Sequence, residues 1–132
     1  MSDYIKEGKV AVAFRHFPLD SIHPSARKLA VAAECAGKLG GSEKFWQFID
    51  FVFAAPDKSA ESLVADATEA IGLDIETMTS CQAEKEISDA VESEYQEATG
   101  LGAQGTPFIA VVGPDDLVRP IFGGRDAKDL KQ

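Results

Sequence analysis

Two cysteines are the first side chains to ask about, because a thiolate is the strongest nucleophile the 20 residue types offer. Cys35 and Cys81 are the only thiols in the 132 residues. Disulfide exchange needs an attacking thiol and a second thiol close enough to resolve the mixed disulfide. Neither cysteine opens a predicted helix, where the helix dipole would favour the thiolate, and Cys81 has no Lys or Arg beside it. Read from the residues, the first expectation is a pair of buried thiols packed as small apolar groups. A structural disulfide between them comes second and a working redox thiol last. His16 and His23 raise a metal or acid–base role. No carboxylate or cysteine stands with them in a ligand spacing, and a strand end and a helix start account for both, so no metal site is expected. Trp46, with Phe45, Phe48 and Phe53, is of the type that lines an apolar groove, but an amphipathic helix explains the same pattern as core packing.

Behind these residues stand the elements that must position them. Lys9 to Phe17 reads as a strand, with Val10, Val12 and Phe14 alternating with Ala11 and Ala13 so that both faces are apolar. Pro18 ends it, having no N–H for a ladder. From Pro24 the period changes to that of a helix, with Ala26, Leu29, Ala30, Ala33 and Gly37 on one side and a Glu34–Lys38 pair on the other. Gly40-Gly41 stops that helix, and Ser42 caps one whose stripe is Phe45, Ile49 and Val52. Pro56-Asp57 interrupts the pattern. Ser59 and Asp74 are N-cap residues for two further helices, and Ile87, Ala90, Val91, Tyr95 and Ala98 mark the inner stripe of a fifth, ending at Gly100. Phe108 to Val112 and Leu117 to Phe122 form a hairpin around Gly113-Pro114-Asp115-Asp116, with Pro120 confining the second strand to an edge. Asp126 to Lys131 is a short helix candidate.

Thirteen Lys and Arg against 22 Asp and Glu give a net charge of −9, which repels a polyanion, so nucleic acid is not an expected partner. Apolar runs such as Leu29 to Ala33 are too short to cross a bilayer, and no membrane partner is expected. The first eight residues lack the apolar core of a signal peptide, which places the chain as written in the cytoplasm. One domain's worth of chain, 45% hydrophobic, is enough for one core.

The order of the motifs resembles the DsbA-like thiol–disulfide oxidoreductases. Tyr4 to Val10 and Phe14-Arg15-His16-Phe17-Pro18-Leu19 resemble that family's second strand and its approach. Ile22-His23-Pro24 and Ala32-Ala33-Glu34-Cys35-Ala36 resemble its first inserted helix, and Phe45-Trp46 the aromatic pair that follows. Gly105-Thr106-Pro107 resembles its cis-proline loop, and the likeness runs from about Tyr4 to Gly124. It implies an α/β, thioredoxin-like fold with an inserted helical subdomain. Residues 1–132 then form a single domain: a strand at 9–17, a helical insertion at 24–100, and a hairpin with a short terminal helix at 106–131. The resemblance further implies action on extended peptide or protein substrates, without a cofactor. Thr106 and Pro107 are then the substrate-binding residues, their backbone pairing with the extended chain.

One departure governs the expected activity. The family's Cys-x-x-Cys opens a helix ahead of the segment that Tyr4 to Val10 matches, and these 132 residues hold no such pair. The first expectation is therefore a redox-inactive fragment or mis-started chain of a complete enzyme. A non-catalytic peptide-binding module comes second and an oligomeric structural relative third. The family's first strand, also without a counterpart, would lie between 9–17 and Phe108–Val112. Two edges are then left open, and a homodimer through them is expected. The family's members are typically exported, against the cytoplasmic reading of the first residues.

Overall fold

The computed structural model describes residues 2–55 and 58–123; the break at Pro56-Asp57 and the helix expected at Asp126 to Lys131 lie outside the described residues. In chain order the elements are α1 (Ser2–Lys6), α2 (Ala26–Ala54), α3 (Ala60–Ala70), α4 (Ile75–Gln82), α5 (Lys85–Gly100), β1 (Phe108–Val112) and β2 (Val118–Phe122).

Helix α2 is two helices run together across a kink at Gly41, whose φ of 78° is the left-handed conformation that a side chain resists. The expected stop at Gly40-Gly41 is thus a bend, which lets Phe48 on its second half reach the same core as Cys35 and Ala36 on its first. Phe48 is fully buried at the centre, while Phe45, Ile49 and Val52 pack around it and Trp46 and Phe53 are exposed. Local hydrogen bonds start the next helices. The Ser59 hydroxyl accepts the Ser62 N–H at 3.2 Å, and the Asp74 carboxylate accepts the Thr77 N–H at 2.8 Å. Helices α3, α4 and α5 all pack on α2, and Val64, Ile71, Met78, Ile87 and Val91 bury their side chains in the same core. Ala90, expected on the inner stripe of α5, is exposed.

The strand expected at 9–17 is not formed: among the described residues no ladder partner stands beside it. Residues 9–13 are exposed, and the rest of the segment docks on helices instead. Phe14 meets Phe45 and Trp46 edge-on at ring centroid distances of 5.6 and 5.9 Å, and Phe17 stacks on Tyr95 at 4.7 Å. An alternating apolar run specifies a surface that wants covering, and aromatic side chains from α2 and α5 cover half of it here.

Strands β1 and β2 form an antiparallel hairpin, with Phe108 opposite Phe122 and Ala110 opposite Pro120. Its turn is held by the Asp115 carboxylate, which accepts from both terminal guanidinium nitrogens of Arg119 at 3.1 and 2.6 Å and from the Leu117 N–H at 3.3 Å. Among the described residues no helix packs against either strand. Among the described residues the sheet has two strands, both of them edges. Helices and strands together make an α/β chain, with the two strands last.

Candidate functional site

Helix α5 ends in a turn that delivers the chain to the expected substrate loop. Gly102, with φ of 91°, lets the Ala103 N–H return to the Ala98 carbonyl at 3.0 Å, and Ala103 is buried against the end of the helix. Gly105 and Thr106 then lead into a cis peptide bond at Thr106–Pro107. Both Thr106 and Pro107 are exposed, and the Pro107 carbonyl accepts the Gly123 N–H at 3.1 Å, which ties the loop to the end of β2. Strand β1 begins at the next residue and bonds to β2 alone, so its other edge carries free N–H and C=O groups among the described residues. An extended chain laid along that edge would find the donors and acceptors of one more strand.

The cysteines depart from the first expectation. Cys35 of α2 and Cys81 of α4 are joined in a disulfide, their Cα atoms 5.9 Å apart, and no cysteine is free. That separation lies inside the window of about 4.4–6.8 Å that a disulfide requires. It arises from the crossing of α2 over α4, which spacing along the chain cannot reveal. The two residues are 0% and 2% exposed and belong to the helical core, which includes neither Thr106 nor Pro107.

His16 shows what the sequence spacing concealed. The imidazole is 4% exposed, and its Nε2 stands 3.1 Å from Glu34 Oε1 on α2. Its backbone N–H donates to Glu94 Oε2 on α5 at 2.7 Å, and Arg15 donates to Glu94 Oε1 at 3.1 Å. Burial pushes the imidazole below its ordinary value, outweighing the pull of the Glu34 and Glu94 carboxylates and of the Glu34 hydrogen bond. The expected Glu34–Lys38 pair is not made. Lys38 bonds to Glu84 and Glu34 turns to His16, because each finds a partner across a helix interface rather than along its own helix. Reading along the chain missed both carboxylates, which lie 18 and 78 positions from His16. The sequence signal was the presence of glutamates one turn from core positions, which is too common to single them out. His23, the other histidine considered, is exposed.

A family model described as Thioredoxin matches residues 1–114. Among curated proteins, Na(+)/H(+) antiporter NhaA 3 of Salinispora tropica is 28% identical over 104 residues, covering 79% of this chain and 16% of the relative. Na(+)/H(+) antiporter NhaA 1 of Salinispora arenicola is 27% identical over 104 residues, with the same two shares. The chain thus spans 16% of the length of these curated relatives. No solved structure matches it.

Proposed function

The chain belongs to the thioredoxin family, and on that premise we propose that it is a polypeptide-docking unit of the thiol–disulfide oxidoreductase type that does not itself exchange disulfides. The observation that carries this reading is the fate of its thiols. Both cysteines are locked together inside the helical core, so no thiolate is available to attack a substrate. The part of the family's site that these residues carry is the exposed Thr106–Pro107 loop and the edge of β1 beside it, unpaired among the described residues. Main-chain pairing along such an edge gives affinity without demanding a particular sequence, which suits a site for unfolded protein. The similarity to a small part of long antiporters fits a module that works beside other segments of a larger protein.

The test has two arms. Binding of an S-alkylated, permanently unfolded protein, followed by fluorescence anisotropy, should be weakened by Thr106→Pro, which removes a main-chain donor from the loop. Turnover in the insulin-reduction assay should not exceed background. Binding that ignores Thr106→Pro would defeat the docking site, and multiple-turnover reduction lost on Cys35→Ala would defeat the redox-silent reading. The same free edge accepts a second copy of the chain. Sedimentation equilibrium at micromolar concentrations should show a dimer or larger species, and a monomer throughout would exclude it.

A further inference from the structure

We propose that His16, Glu34 and Glu94 form a binding site for a divalent transition-metal ion, zinc by preference. One ligand atom from each residue lies within 4.8 Å of the other two, and the three come from different segments: the docked stretch before Pro18, helix α2 and helix α5. Zinc bonds of about 2.0–2.2 Å require ligand atoms about 3.4 Å apart in a tetrahedron. The His16 Nε2 to Glu34 Oε1 distance is already 3.1 Å, so a small side-chain movement draws the set together.

Charge supplies an argument independent of this geometry. Two half-buried carboxylates converge on a buried imidazole, and among the described residues Glu34 has no Lys or Arg within 4.0 Å, since Lys38 is committed to Glu84. Glu94 has only the exposed Arg15 as a cationic partner, at 3.1 Å from one carboxylate oxygen, while the other oxygen accepts the His16 N–H at 2.7 Å and keeps a lone pair for a metal ion. With Arg15 offsetting one of the two carboxylates, a divalent cation would balance the charge that remains on Glu34. The mixed nitrogen and oxygen donor set selects the metal class. Calcium and magnesium take oxygen ligands in larger number, whereas one imidazole with two carboxylates suits zinc and leaves a fourth position for water. A bound ion would cross-link the docked segment to α2 and α5, and would add stability as a ligand of the folded state alone.

Isothermal titration of the full chain with zinc chloride should give one site. Glu34→Gln and Glu94→Gln, which keep a hydrogen-bond acceptor in place, should weaken it at least about tenfold, as loss of a ligand requires. His23→Gln should leave it unchanged, and magnesium should not compete. Should either glutamine variant fail to fold by circular dichroism, the wild-type chain decides. With ¹⁵N-labelled histidine, zinc must shift the His16 ring nitrogens and leave those of His23 in place. Absence of binding at micromolar zinc, binding indifferent to both glutamine variants, or a shift at His23 alone would each overturn the site.

Discussion

Val91 on α5 is 0% exposed and Val112 at the end of β1 is 62% exposed, although both sit in stretches whose apolar pattern predicts burial. The helical body and the strand region differ in where their backbone hydrogen bonds go. A helix satisfies its N–H and C=O groups inside one segment, so three short helices and the long bent α2 need only match side-chain faces to close a core. A strand must borrow half its bonds from another segment, and a lone hairpin is at best marginal in water. The helical body gathers Phe48, Met78, Val91 and the Cys35–Cys81 bond into one dry cluster. In the strand region, Ile109, Val111, Val112 and Val118 face outward on a two-stranded sheet. Apolarity states only that a segment wants covering; the backbone decides whether it can be covered from within.

The largest effect should come from opening the disulfide, which joins residues 46 positions apart. The chain-entropy model gives about 4 kcal/mol for a loop of that length. Paired Cys35→Ala and Cys81→Ala replacement should lower the urea midpoint of the helical signal accordingly. A midpoint that does not move would mean the helical body closes without its cross-link. A pair of identical substitutions then sets the two regions against each other. Val91→Ala should cost about 2 kcal/mol by lost burial and an unfilled cavity, whereas Val112→Ala should stay within about 0.5 kcal/mol. Equal losses in chemical denaturation would show that the hairpin is covered in solution.

Smaller still is the contribution of the start of α4. Asp74→Ala removes the carboxylate that accepts the Thr77 N–H and should cost about 1 kcal/mol, read from the same denaturation curves. The smallest effect is on pH dependence in metal-free protein, and it tests how firmly the docked segment belongs to the helical body. The folded imidazole of His16 lies below the ordinary value of 6.5, so the unfolded chain takes up its proton first as pH falls. Stability is therefore full above about pH 6.5, declines as the pH drops from there through the folded value, and levels off below it. His16→Gln should flatten that part of the profile, and a slope that survives the substitution would assign it to other groups.

How much was legible in the sequence follows the same division. The caps at Ser59 and Asp74 were readable because donor and acceptor lie three residues apart. The hairpin turn at Gly113 to Asp116 is equally local and was placed from residue type and spacing, whereas at Gly40-Gly41 spacing marked the break but not that the helix would resume across it as a bend. The strand at 9–17 failed because a period-two pattern reports two apolar faces without naming what covers them. Phe45, Trp46 and Tyr95 took the place of a neighbouring strand.

By itself, then, the amino-acid sequence determined the caps that start α3 and α4, the hairpin and its turn, the family likeness and the absence of a Cys-x-x-Cys pair. These are properties of contiguous residues, set by backbone preference and by hydrogen bonds that close within a turn or two. The tertiary structure alone decided that Cys35 meets Cys81, that Glu34 leaves Lys38 for His16, and that Glu94 arrives from 78 positions away. Each of those contacts depends on how α2, α4 and α5 cross. Crossing geometry is set by the packing of whole helix faces around Phe48 and Met78, which no short stretch of sequence records.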